Sequence, residues 1–458
     1  MALRPCSKGF IPAEVPPLLQ SGIYASHLAA VSFEVIDLHE GHPTRTRTHP
    51  TRFSAARLNG LRRVLGIVNP QSFARLAVEI DASWSLLSRH YCLSEISVSR
   101  PSLAGKKRPL ALDNPFVLRD ERRRELAVTS SFRLRTDVAQ CYPSMYTHSI
   151  PWALHDRATA KAHQGGAEEQ VAGGRLDRRV RDMSDGQTSG LPIGPDTSLA
   201  MAETVLTRID AHSEISSITS FQGGIRNIDN IEPYFSERSG ADAALERIER
   251  AAAELELSLN PHKTSVEESP LEIEDRWKSR VTASLSRSKT LGGTTGFLNE
   301  MLALAREFPG DAVVPYGVKV ALRDTEPGSD AHRAVIDVAL AASRFSAASM
   351  KHTVPIAAEA AASDVYPPMK LAHALNLLVE RAAQLHRHDE LTWAVWPGND
   401  GTTACGRGQR SDAILHRPTC RHALSLHARG RARRRRRRPG AGGYQCRGSH
   451  DRVLAPCL

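Results

Sequence analysis

Asn227-Ile228-Asp229-Asn230 lies inside Thr219–Phe235, a stretch whose pattern predicts two short strands around a tight turn at Asp229-Asn230. Upstream, Phe132–Val138 predicts another strand, with Asp137 near its end and a Tyr142-Pro143 break after it. Residues 198–213 carry helical spacing through Leu199, Ala202, Val205, Leu206 and Ile209. Residues 240–257 repeat it and stop before Asn260-Pro261. Strand, helix, hairpin and helix in that order predict an α+β fold, an antiparallel sheet backed by helices.

Working outward, Arg57–Pro70 predicts a turn at Gly60 flanked by strands, with Val64–Val68 apolar and Pro70 as the stop. Phe73, Leu76, Ala77, Ile80, Trp84 and Leu87 share one face of a helix over 71–90. Pro12, Pro16 and Pro17 make the first 49 residues an extended lead-in. Residues 296–390 are Ala-rich and helical, with interruptions expected at Pro309, Pro315, Pro327 and Pro367. From Pro397 the apolar periodicity vanishes and Gly, Arg, Cys and His dominate, so 397–458 predicts a low-complexity tail without a core. Its abrupt onset resembles translation in another frame.

The 458 residues are 41% hydrophobic and 24% charged, enough for a sizeable core in two or three domains. The net charge of +10 favours a nucleic acid or another anionic partner. Seven arginines between Arg431 and Arg438 hold much of it, as a solvated run or a nucleic-acid contact. The seven cysteines include no CxxC pair, which argues against a zinc site and for free thiols in a reducing compartment. The lack of a charged-then-apolar start and of a long apolar run predicts a cytoplasmic protein without signal peptide or membrane span.

Two carboxylates, one ending a strand and one on the neighbouring hairpin, suit a pair of hard cations. Nucleotidyl transfer uses two magnesium ions roughly 3.5–4 Å apart, held by rigid oxygen ligands. Asp137 and Asp229 are the candidates.

Five segments then fall in order over some 200 residues. They are Leu61-Arg62-Arg63-Val64, Arg135-Thr136-Asp137-Val138-Ala139-Gln140-Cys141-Tyr142-Pro143-Ser144, Gly190-Leu191-Pro192-Ile193-Gly194-Pro195-Asp196-Thr197-Ser198, Asn227-Ile228-Asp229-Asn230 and Asn260-Pro261-His262-Lys263-Thr264. Over residues 50 to 290 the chain resembles reverse transcriptases. Tyr146-Thr147-His148-Ser149-Ile150-Pro151-Trp152 further resembles bacterial members of the abortive-infection and phage-defence type.

The resemblance implies a right-hand polymerase: fingers at 50–136, a palm at 137–290 with a fingers insertion near 155–190, and a helical thumb or C-terminal domain at 291–396. It implies Mg²⁺ (two ions, or Mn²⁺ in their place) on Asp137, Val138, Asp229 and Asn230. Arg62, Arg63, Tyr142, Gly190, Pro192, Gly194 and Lys263 would contact the nucleotide, Tyr142 as steric gate and Lys263 near the departing pyrophosphate. Each has a plainer reading: solvated charge, core aromatic or turn glycine. Trp277 and Lys278 would lie near the primer grip. The partners implied are an RNA template, a DNA primer or product, dNTPs and a non-coding RNA.

The departures gather around Asp229. Asn227 replaces an aromatic residue, Asn230 replaces an Asp, and Pro233 interrupts the return strand, where proline is tolerated on an edge or bulge. Ile193 replaces a glutamine common in the family. Near 4 Å at an effective dielectric of 20, one charge product is on the order of 4 kcal/mol. A third of that already costs roughly tenfold. The expectation is therefore a polymerase weakened at Asn230. The alternatives are an inactive palm-and-fingers module binding nucleic acid or a partner polymerase, and a decayed gene product.

Overall fold

The computed structural model describes residues 9–16, 47–57, 61–103, 108, 110, 115–165, 167–285 and 290–399. The Gly60 turn, most of the lead-in and the basic tail beyond residue 399 lie outside them. The part of the lead-in that is described is no loose arm: Phe10 is buried, its ring centroid 5.1 Å from that of Phe73.

Strands β1 (Thr51–Ala56) and β2 (Arg62–Ile67) pair antiparallel, from Thr51 opposite Ile67 to Ala56 opposite Arg62. Asn69 caps the next helix by accepting from the Gln71 amide at 2.9 Å, and Pro70 fills the first helical position, where no amide donor is needed. The helix expected over 71–90 is two helices, α1 (Pro70–Ala82) and α2 (Trp84–Tyr91). Ser83 breaks it by donating its hydroxyl to Glu79 at 3.2 Å and taking a non-helical conformation.

Helix α3 (Pro115–Ala127) leads into β3 (Phe132–Asp137). Helices α4 (Cys141–Ser144), α5 (Ser149–His155), α6 (Arg157–Ala162), α7 (Ala172–Asp182) and α8 (Asp196–Ser213) follow. Then come β4 (Phe221–Asn227), β5 (Asn230–Phe235), α9 (Arg238–Glu254) and β6 (Ser265–Glu268). The sheet order is β4-β5-β3-β6, antiparallel throughout, as the hairpin pattern predicts. Helix α8 is buried on nearly every side, with Ala200, Met201, Ala202, Val205, Leu206 and Ile209 in the core beside Leu134, Ile231 and Phe235.

Pro233 lies on no edge, because β5 lies between β4 and β3, but β4 carries a register shift between Phe221 and Gly223, opposite the Tyr234–Phe235 step, so the expected irregularity is present. Tyr234 pairs with Arg133 and Ile231 with Thr136 in the same register, but the two residue pairs between them drop out of the β3 ladder. The β4 side stays paired through Gly224 opposite Pro233. A proline nitrogen cannot donate, and the ladder to β3 is interrupted beside it.

The C-terminal region is helical, as expected: α10 (Arg276–Leu285), α11 (Leu291–Glu307), α12 (Val313–Asp324), α13 (Asp330–Ala342), α14 (Met350–Ala362), α15 (Pro368–Gln384) and α16 (His388–Asn399). Pro315 does not interrupt. It sits in the first turn of α12, where the missing amide has no partner to lose. Helix α16 runs past Pro397 and packs on β1, where the Asp389 carboxylate accepts from the Ala56 amide.

The β1–β2 hairpin seats on the 190–194 segment: the Gly66 amide donates to the Ile193 carbonyl at 2.9 Å. A Cβ on Gly66 would stand 2.7 Å from the Pro192 Cβ. Gly66→Ala must push the hairpin off this segment, and an expected loss of about 1–3 kcal/mol would be read by urea denaturation.

Candidate active site

The register of the central sheet brings Asp137 and Asp229 together. Asp137 ends β3 opposite Asn230, and the Val138 amide donates to the Asp229 carbonyl at 3.1 Å. On the far side the Asn260 amide donates to the Asp137 carbonyl at 2.8 Å. Asp137 is 3% exposed, and its Oδ1 has no hydrogen-bond partner among the described residues. Its Oδ2 accepts from Lys263 Nζ. Burial pushes the Asp229 carboxyl above its ordinary range, the charge of Asp137 adds to this, and its own backbone amide, Lys263 and Arg63 oppose it. Two like charges are held together and incompletely compensated.

The hairpin turn is one residue earlier than expected. Asn227 pairs with Asn230, so Ile228 and Asp229 form the turn, with Ile228 at φ 56°. Asn230 is exposed, and its Nδ2 donates to Asp229 Oδ1 at 3.2 Å.

Tyr142 and the Gly-Leu-Pro-Ile-Gly segment reach the same place by backbone pairing. The Leu191 amide donates to the Tyr142 carbonyl at 2.7 Å, and the Gly190 amide to the Met145 carbonyl at 2.8 Å. Gly190 has φ +90°, which its lack of a side chain allows. Burial raises the Tyr142 hydroxyl pKa; Cys141 and Asp229 add to it, and Arg63 lowers it. Arg63 therefore lies within electrostatic reach of both Tyr142 and Asp229. It also borders a cavity of about 270 Å³ with Arg57, Lys351 and Trp393.

Other expected site residues are engaged elsewhere. Arg62 donates to Ser54 Oγ at 2.9 Å and to the Ser54 carbonyl at 2.6 Å, and pairs with Asp389 and with Glu390 at 3.3 Å. Gly194, at φ +124°, packs closely on Pro12, whose Cγ lies 2.4 Å from where a Cβ would stand. Trp277 packs edge-on against Tyr316 with ring centroids 5.5 Å apart, and Lys278 pairs with Asp120 at 2.7 Å. Tyr146 and Trp152 meet at 5.5 Å as part of the core.

Sequence reasoning passed over Glu203 and Arg226. Both side chains are fully buried, Arg226 gripping Glu203 through two bonds of 2.8 and 2.9 Å and reaching Asp210 at 2.7 Å. The signal was available. Glu203 is a lone charge in the run Ala200-Met201-Ala202-Glu203-Thr204-Val205-Leu206, and Arg226 follows Gly224-Ile225 in a strand. Opposite charges in two buried runs call for each other.

Asp137 and Asp229, with the Val138 carbonyl, fit a Mg²⁺ ion that keeps several waters. The orphaned Asp137 Oδ1 and the raised Asp229 carboxyl are the observations that favour a cation there. Among the described residues no three His, Cys, Asp or Glu side chains are grouped to hold a metal. Asn230 offers an amide oxygen where a third carboxylate was needed for a second ion of equal strength.

A sign follows for stability. A carboxyl raised by the fold favours the folded state below its ordinary pKa of about 4, and that advantage is lost as pH rises through the raised value. Asp229→Asn is therefore expected to raise the Tm of the metal-free protein at pH 7 by about 1–3 °C, the gain closing below about pH 4. Calorimetry at both pH values, with and without Mg²⁺, measures it. A gain that persists unchanged at low pH would remove the electrostatic cause.

No family model matches the chain, and no curated protein matches it in sequence. Among solved structures it is similar to telomerase from Candida albicans in complex with a TWJ fragment of telomeric RNA. That likeness has 11% identity and a TM-score of 0.34 and covers 77% of this chain and 65% of the other. Telomerase from Candida tropicalis, in the same kind of complex, gives 9% identity and a TM-score of 0.34 over 87% and 68%. The chain thus spans slightly less than two thirds of the first of these. Both likenesses are coarse. No described helix is long and apolar enough to cross a membrane.

Proposed function

We propose that the chain is a nucleotidyltransferase of the reverse-transcriptase type, with residues 50–136 as fingers, 137–290 as palm and 291–396 as thumb. The observation that carries this reading is the placement of Asp137, at the end of β3 opposite Asn230, next to Asp229 in the β4–β5 turn, with Asp137 Oδ1 unpartnered among the described residues. Bound Mg²⁺ would supply charge neutralisation at the transferred phosphoryl group. Asp137 and Asp229 would hold it, Tyr142 would border the site beside Asp229, and Arg63 would present a guanidinium suited to phosphate oxygens. RNA template, DNA primer and dNTPs are the proposed partners. Template contacts to phosphate should weaken steeply with salt.

Primer extension on an RNA template with Mg²⁺ or Mn²⁺ tests the reading. Asn230→Asp restores a charge on the order of 4 kcal/mol at full strength, and about tenfold faster extension is expected once relaxation takes its share. Brisk synthesis by the wild type that Asn230→Asp leaves unchanged would sink the argument from the missing charge.

A second reading has its own support. Lys263 pairs with one oxygen of Asp137, Arg62 is committed to α16, and Asn230 carries no charge, which together favour an inactive module that binds nucleic acid. Calorimetric titration with Mg²⁺ and dNTP together separates the two, because only the enzyme must bind both.

A further inference from the structure

Ile228 is a β-branched residue in the left-handed region, at φ 56°. Glycine or asparagine takes that conformation at far lower cost, and such strain persists only where the surroundings over-determine it. Here they do. The Ile228 amide donates to Ser99 Oγ at 2.8 Å, and the Ile228 carbonyl accepts from Arg226 Nη1 at 3.1 Å. Ser99 Oγ in turn donates to Glu203 Oε2 at 3.3 Å, the same oxygen that accepts from Arg226 Nη1 at 2.9 Å. Both polar groups of the strained residue are thus fixed by side chains that meet on one buried carboxylate. The backbone of Arg226 is pinned as well, by the Ile96 carbonyl at 2.6 Å and the Val98 amide at 2.9 Å.

We propose that Ser99, Glu203 and Arg226 form a positioning lock that holds Ile228 left-handed and so aims the Asp229 carboxylate at Asp137. None of the three touches substrate. They act through the turn. The inference rests on the reading of Asp137 and Asp229 as cation ligands. It adds that the aim of Asp229 is set from residue 99, far away in sequence, and not by the turn's own residues.

The test is Mn²⁺ binding by isothermal titration at pH 7, alongside thermal unfolding. Ser99→Ala removes one arm of the lock while leaving the Arg226–Glu203 pair, and is expected to weaken Mn²⁺ binding about five- to tenfold. Ser99→Thr keeps the hydroxyl and should restore it. Adding Ile228→Asn to Ser99→Ala should also bring the affinity back to within about twofold, because asparagine holds the left-handed turn without the lock. A merely structural serine would not be rescued from position 228. Unchanged affinity in Ser99→Ala, or failure of Ile228→Asn to rescue it, overturns the lock. Absence of Mn²⁺ binding by the wild type overturns the cation site itself, and the lock with it.

Discussion

Arg226→Met is expected to cost about 3–5 kcal/mol, the largest stability loss of any single substitution considered. It strands Glu203 and Asp210, 0% and 4% exposed in their side chains, without the cation that both face. Burial alone would push the Glu203 carboxyl up; the charge and hydrogen bonds of Arg226, helped by Ser97 and Ser99, outweigh it and hold Glu203 below its ordinary value. The wild type therefore gains stability from Glu203 above the ordinary carboxyl pKa, and loses it as pH falls through the depressed value. In Arg226→Met only the Ser97 and Ser99 hydroxyls still oppose burial, so Glu203 rises and the variant gains stability as it takes up a proton. The gap between the two proteins should be widest near pH 7 and narrow towards pH 4–5. Urea denaturation at these pH values reads both the size and the slope. Equal midpoints at pH 7 would mean that the ion pair contributes nothing, and a gap independent of pH would assign the loss to packing instead of charge.

Asp137→Asn is expected to have the largest effect on nucleotidyl transfer, a fall of roughly 10²–10³-fold. The substitution preserves shape, the bond from the Asn260 amide to the Asp137 carbonyl and that from the Val138 amide to the Asp229 carbonyl, and it removes a carboxylate with a buried oxygen that has no partner among the described residues. Removing its charge also relieves Asp229, whose carboxyl should fall towards its ordinary value. Fold and activity then part company: the metal-free variant should unfold no earlier than the wild type while extension collapses. Glu268→Gln, an exposed carboxylate at the end of β6, is the control and should extend like the wild type. Single-turnover primer extension in Mg²⁺ and Mn²⁺ measures the ratio. Wild-type rates in Asp137→Asn would remove Asp137 from the chemistry, whatever the stability data say.

Much of the local structure was legible from residue spacing. The β4–β5 hairpin, the helices after it and the helical run beyond residue 290 follow from apolar periods that only one element type satisfies. Boundaries slipped where a single side chain decided them, as at Ser83. The Pro233 strand was misplaced for a different reason. Proline's missing donor argues for an edge, but whether both of a strand's sides are used depends on which strands flank it. Here the loss falls on β3, and the β4 ladder keeps the strand in place.

The expected site divides in the same way. Asp137, Asp229, Tyr142, Gly190-Leu191 and Lys263 meet around the sheet end, because strand register and short backbone bonds bring them there. Arg62 belonged to the same motif by spacing, yet its guanidinium binds α16, a helix some 330 residues away in sequence. Nothing local to Arg62 and Arg63 says which will face the carboxylates. A hairpin alternates its side chains, and only the body it docks against decides what each face meets.

Residue order fixed the α+β character, the two carboxylates at a strand end and a hairpin turn, and the uncharged Asn230 beside them. These are properties of residue type and short-range period. Tertiary packing added that Ile228 carries the left-handed turn, that Glu203 and Arg226 neutralise each other beside it, and that Asp137 keeps a buried oxygen with no partner among the described residues. Such outcomes depend on burial and on partners far apart in the chain, and desolvation makes a charge's cost or worth depend on what finally surrounds it.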